Sequence, residues 1–219
     1  MIIKIDPKSF FVFDLDDTLS QEIDYLKSAY DEIAADLEGK IGRNIHAEML
    51  ELYQKESNVF QWIIDTFPNS TTIEELLMIY RNHFPKIAFD NSTSTFLNNL
   101  NALNVPLGII TDGRSITQRN KLKALGLDEK LCEIVISEEF GSEKPNINNY
   151  IHFSNKYPEA TFYFFGDNLK KDFEVPLKFG WSTFCLRDKG FNIHKQDTKS
   201  ISDNNLIIID SFDDIVLEV

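Results

Sequence analysis

The chain has 219 residues, 42% hydrophobic and 26% charged, which suits one domain with a sizeable insertion or two small domains. A formal net charge of −13 argues against a nucleic-acid groove or an anionic membrane surface as its working face. It leaves room for a small phosphorylated substrate, because one metal ion and one lysine reverse the field locally.

The first short apolar run, residues 10–13, stops at Asp14 and reads as a strand buried on both faces. Residues 20–88 then become helical in pattern. Ile23, Leu26, Tyr30, Ile33, Ala34 and Leu37 form one stripe, and Ile45, Met49 and Leu52 begin a second helix. Trp62, Ile63 and Phe67 belong to a third; Ile73, Leu76, Leu77 and Tyr80 suggest a fourth. About 70 residues exceed any simple connection, so a helical subdomain is inserted here. Residues 91–95, rich in Asn, Ser and Thr, read as the linker back, followed by a helix with Phe96, Leu97, Leu100 and Leu103 on one face.

Strands and helices then alternate. The run 107–110 stops at Thr111 and Asp112. Ser115 with Gln118 three residues on predicts a capping box, and Gly126 a helix stop. The run 134–136 stops at Ser137. Pro145 suits the first turn of a helix whose apolar face is Ile147, Tyr150 and Ile151. The run 162–165 stops at Gly166 and Asp167, and Pro176 soon afterwards disturbs any regular helix there. Further strands are expected at 182–186 and 206–209, with a polar loop over 192–205 between them. Such alternation makes an α/β fold, a Rossmann-like parallel sheet with helices on both sides, whose ligands sit at the carboxyl ends of strands. The expected division is a core of residues 1–19 and 89–219 and a helical cap of residues 20–88.

No apolar run approaches the ~18 residues of a membrane span and no secretory leader pattern opens the chain, so the cytoplasm is the expected compartment. The two cysteines, Cys132 and Cys185, are expected to be reduced packing residues. His46, His83, His152 and His194 show no paired spacing and are expected in structural roles.

The chemistry-bearing residues fall at the strand ends. Asp14 and Asp16 lie two apart on an extended backbone, so both carboxylates face one site. Their repulsion calls for a cation or a proton, and a hard ion such as Mg²⁺ suits an all-oxygen site. Thr111, Asp112 and Gly113 precede a helix N-terminus, where a hydroxyl and closely approaching backbone favour an anion. Lys144 stands at a helix start, where the macrodipole disfavours it, which hints at another task. Asp167 and Asp172 bring two more carboxylates to the same sheet edge.

The ordered set Asp14-x-Asp16-x-Thr18, Thr111-Asp112-Gly113, Lys144-Pro145 and Gly166-Asp167-(x)₄-Asp172 resembles the haloacid dehalogenase superfamily. The resemblance covers residues 8–19 and 92–187, with the insertion where that family carries its α-helical type-1 cap. It implies a Mg²⁺-dependent phosphatase whose partner is a small phosphorylated metabolite, a nucleoside monophosphate or a sugar phosphate, and neither nucleic acid nor membrane. Asp14 would be the nucleophile, and Asp16 would protonate the leaving oxygen and later deprotonate water. Thr111 and the backbone of Asp112 and Gly113 would hold phosphoryl oxygens, and Lys144 would neutralise charge. The metal would be held by Asp14, the backbone carbonyl of Asp16 and Asp167, with Asp172 in support. An acid at position 16 resembles phosphatases and phosphomutases, since dehalogenases lack one there. A phosphosugar mutase is the alternative, and a non-catalytic regulatory relative the third reading. Lys40 and Arg43 lie with Gly39 and Gly42 in a segment that reads either as an ordinary helix–helix turn with solvated charges or as a substrate-facing loop, and Arg114 is a second candidate substrate contact; Trp62 is read as cap core.

Overall fold

A computed structural model describes residues 1–128, 132–196 and 206–219. After a short strand β1 (Ile2–Lys4), strand β2 (Ser9–Phe13) is buried along its whole length. Phe11 and Phe13 enter one core, Phe10 and Val12 the other, which is why this run does not alternate polar with apolar. Next come the helices α1 (Glu22–Ile41), α2 (His46–Gln54), α3 (Val59–Thr66), α4 (Ile73–Asn82) and α5 (Asn91–Ala102). Strand β3 (Leu107–Thr111), α6 (Ser115–Ala124), β4 (Cys132–Ile136), the single turn α7 (Ser137–Phe140) and α8 (Ile147–Lys156) continue the chain. It closes with β5 (Thr161–Gly166), α9 (Glu174–Lys178), β6 (Ser182–Leu186), β7 (Leu206–Ile209) and β8 (Val216–Glu218).

Six strands form one parallel sheet in the order β4-β3-β2-β5-β6-β7. The chain builds outward from β2 first to one side and then to the other, so a crevice opens at the carboxyl end of β2. Stacked rings fix the level of the neighbouring strand ends: Phe13 to Phe165 at 5.1 Å between centroids, Phe165 to Phe184 at 4.6 Å. Phe96, Leu97 and Leu100 of α5 and Leu122 of α6 cover one face. Tyr150 and Phe153 of α8 and Val175 of α9 cover the other. The helices α1–α4 enclose a core of their own, including Leu26, Tyr30, Ile33, Met49, Ile63 and Leu76. Cys132 and Cys185 are buried and unbridged. No helix among the described residues is long and apolar enough to cross a membrane.

Several sequence expectations need correction. Residues 91–95 are the first turns of α5, not a linker, because Asp90 caps that helix by accepting the Thr93 N–H at 2.7 Å. Ser115 and Gln118 form no capping box: Arg114 is the N-cap, and the Ser115 hydroxyl donates to Glu139. Helix α8 starts at Ile147, capped by Asn146, so Pro145 lies before it and is joined to Lys144 by a cis peptide. Ile147 is exposed, and Phe153 takes the expected place in the core. Pro176 falls within α9, which has only five residues. The small parallel sheet of β1 and β8 was not expected, since three-residue strands carry no periodic signal. Of the polar loop 192–205, positions 197–205 lie outside the described residues.

Candidate active site

Asp14 is the first residue beyond β2, its N–H donating to the Phe165 carbonyl at 2.8 Å, and it is buried. Lys144 Nζ lies 2.6 Å from Asp14 Oδ1 and 2.7 Å from Asp172 Oδ1. The other oxygen of Asp172 accepts the backbone N–H groups of Asn168 at 2.8 Å and Asp167 at 3.2 Å. Gly166 makes this possible, because a Cβ there would stand 2.5 Å from Asp172 Oδ2. Asp14, Asp167 and Asp172 each bring an oxygen within 4.8 Å of the others.

One ammonium facing three buried carboxylates leaves this cluster short of positive charge. Burial drives Asp14 well above the ordinary carboxylate range despite Lys144, and Asp172 and Asp167 add to the rise. Burial and Asp172 push Asp167 up to about 7. Burial alone would lower Lys144, but Asp14 and Asp172 outweigh it and raise the ammonium well above its usual value. A buried, all-oxygen, over-negative donor set fits a hard divalent cation such as Mg²⁺. Of the two Asp172 oxygens, Oδ2 is taken by backbone N–H groups and Oδ1 faces the Lys144 ammonium.

The Asp16 carboxylate is turned away from this cluster. Its Oδ1 lies 2.6 Å from Lys121 Nζ, and its Oδ2 accepts from Gln118 Nε2 at 2.7 Å. Its side chain is therefore not among the clustered carboxylates. Lys121 is fully buried, ion-paired also with Glu22 and 4.3 Å from the centre of the Tyr25 ring. Burial would raise Asp16, but Lys121 prevails and lowers it. Burial and the neighbouring Asp16 push Glu22 up to about 9.

Thr111 Oγ1 accepts from Gln118 Nε2 at 2.9 Å. The Asp112 carboxylate accepts the Lys144 N–H and the Lys171 ammonium, both at 2.9 Å. Gly113 has φ 140°, its N–H donates to Ser137 Oγ, and a Cβ there would meet the Gln118 amide at 3.0 Å. Its lack of a side chain thus makes room for Gln118, and its N–H is engaged within the protein rather than offered to a phosphoryl group.

A cavity of ≈ 170 Å³ opens over these groups, lined by Asp14, Asp16, Thr111, Lys144, Lys171 and His194 among others. His194, expected to be structural, lines this cavity. Glu22 is the one lining residue from α1–α4 among the described residues. Lys40, Arg43 and Arg114 are not brought to it. Lys40 pairs with Asp36 one turn back at 3.0 Å, Arg43 pairs with Glu48, and Arg114 lies 3.8 Å from Glu138. Each finds an acidic neighbour on the surface. Gln118, Lys121, Glu22 and Lys171 escaped the sequence reading. Gln118 and Lys121, three apart on one helix face where apolar residues are the norm, carried the only usable signal.

The model of haloacid dehalogenase-like hydrolases matches residues 11–185, and the chain belongs to that family. The glyceraldehyde 3-phosphate phosphatase of Methanothermobacter thermautotrophicus is 31% identical over 150 residues, 62% of this chain and 65% of that protein. Its namesake from Methanopyrus kandleri is 36% identical over 91 residues, 40% of this chain and 39% of that protein. The chain therefore spans less than two thirds of the length of these curated relatives. Among solved structures, the HAD-hydrolase YfnB of Bacillus subtilis, bound to magnesium, superposes with a TM-score of 0.62 at 17% identity, covering 95% of this chain and 97% of that one. An L-2-haloacid dehalogenase gives 0.63 at 14% identity, covering 94% and 96%. At such identities these two establish the fold.

Proposed function

We propose that this protein is a Mg²⁺-dependent phosphatase of small phosphate monoesters, sugar phosphates foremost, working in the cytoplasm through an aspartyl-phosphate on Asp14. The observation that carries this reading is the buried Asp14 at the end of β2, 2.6 Å from Lys144 and clustered with Asp167 and Asp172. An acid at position 16 favours phosphate esters over haloacids. The names of the curated relatives favour a sugar phosphate over a nucleotide. Trp62 packs edge-on against Phe67 in the core of α1–α4, which speaks against a base-stacking platform.

Asp14, Asp167 and the Asp16 carbonyl, with Asp172 in support, would hold Mg²⁺, which would supply the positive charge that a carboxylate needs to approach a phosphate dianion. Asp14 attacks phosphorus as the bond to the leaving oxygen breaks, and Asp16, which Lys121 keeps ionised until it takes up a proton from solvent, passes that proton to the leaving oxygen. Lys144 screens Asp14 and the transferring group, while the Thr111 hydroxyl donates to a phosphoryl oxygen. Asp16 then takes a proton from water as it attacks the acyl phosphate, releasing phosphate and restoring Asp14. Residues 20–88 act as a cap over a core of 1–19 and 89–219, limiting bulk water during the first step.

The test is a screen of phosphorylated metabolites, glyceraldehyde 3-phosphate and mononucleotides included, reading free phosphate with and without Mg²⁺. Asp14→Asn is expected to lose at least about 10⁴-fold in kcat. Mg²⁺-dependent turnover that survives this substitution would refute the nucleophile assignment, and an isomer in place of free phosphate would point to a mutase.

A further inference from the structure

We infer that Gln118 and Lys121 are positioning residues for the proton-transfer step: between them they fix the Asp16 carboxyl relative to the phosphate grip. The inference rests on the reading of Asp16 as the acid and base of the reaction.

A group that first protonates an ester oxygen and then deprotonates water needs hydrogen-bond reach to both, so its rotamer has to be held. Asp16 is held at both oxygens, Oδ1 by Lys121 at 2.6 Å and Oδ2 by Gln118 at 2.7 Å. Gln118 Nε2 also reaches Thr111 Oγ1 at 2.9 Å and the Asp112 carbonyl at 2.7 Å. One amide thus joins the proton-transfer residue to the strand end that faces the phosphoryl group. Two features mark this as more than packing. Gln118 is 2% exposed, and its Oε1 is buried without a partner, an arrangement that folding alone does not favour. Gly113 is shaped around the same amide, since a Cβ there would touch it.

Lys121 is 2% exposed, and a fully buried lysine between two carboxylates is weak as a stability device. Its second partner, Glu22, is the first residue of α1. On the same helix, Thr117 Oγ1 donates to the Arg81 carbonyl at 3.1 Å, and Asn120 Nδ2 donates to the carbonyls of Asn82 at 3.0 Å and His83 at 3.1 Å. Helix α6 therefore grips both ends of the inserted helices and, through Lys121, the Asp16 carboxyl.

The experiment compares two substrates of the full-length enzyme with Mg²⁺: 4-nitrophenyl phosphate, whose leaving group needs no proton, and glycerol 3-phosphate, whose alkoxide does. The variants are Gln118→Leu and the double variant Lys121→Met with Glu22→Gln, which leaves the net charge unchanged; Asp16→Asn is the benchmark. Both are expected to lose about 100-fold in kcat/KM, which reports the steps up to leaving-group departure, on the alkyl ester and under about 5-fold on the aryl ester, in the direction set by Asp16→Asn. In the Asp16→Asn background, Gln118→Leu should leave the ratio of the two rates where it was. Parallel losses on both substrates, or no loss, while Asp16→Asn does discriminate, would overturn the inference. An Asp16→Asn variant that does not discriminate would overturn the reading of Asp16, and the inference with it. Should the double variant fail to fold, Gln118→Leu, which alters no charge, decides the matter.

Discussion

Gly166 sits under Asp172, and the 2.5 Å that would separate a new Cβ from Oδ2 is too close for any side chain. Gly166→Ala would push aside the carboxylate that orients Lys144. Expected are a stability loss of about 1–3 kcal/mol, read by denaturant titration, and Mg²⁺ binding weakened about tenfold or more, read by calorimetry. Unchanged affinity would mean that Asp172 yields freely. Asp167, raised to about 7 by burial and Asp172, permits a pH test. A carboxyl raised in the folded chain binds its proton better there than when unfolded, so stability falls as pH climbs from about 4 through that value. A divalent cation offsets this loss. The Mg²⁺-induced rise in melting temperature should therefore grow from pH 5 to pH 8, and Asp167→Asn should flatten it. An equal rise at both pH values would contradict the cation assignment.

The N-terminal turns of α5 show what a sequence hides at the level of elements. Asn, Ser and Thr at 91–95 read as a linker, yet Asp90 starts a helix there by taking the Thr93 N–H. Asp90→Ala should cost about 1 kcal/mol of stability, visible as a lower denaturation midpoint with an unchanged slope; no shift would make the cap idle. The buried strands, by contrast, were legible because β2 packs on both faces and needs no polar positions. Ser115 and Gln118 had capping-box spacing, but the Gln118 amide finds acceptors on Asp16, Thr111 and Asp112. Local spacing cannot foresee such a long-range competitor. Lys40 and Arg43 follow the plainer of their two readings, an ordinary turn whose charges pair with surface acids, and Arg114 likewise faces a surface acid.

At the scale of the molecule, Asp14, Thr111 and Asp167 were readable as one edge because a parallel sheet brings every strand's carboxyl end to the same side. The seating of the inserted helices was not, since it depends on a lysine buried against the usual preference and on backbone carbonyls that no side-chain pattern encodes. That seating bears on any attempt to re-engineer specificity by grafting a foreign insertion onto this scaffold. A chimera spliced only at the two junctions would leave Lys121 beside Asp16 without its glutamate and Asn120 without its turn. The donor segment would have to bring its own version of helix residues 117–121, so the transferable module is two pieces of chain, far apart in sequence.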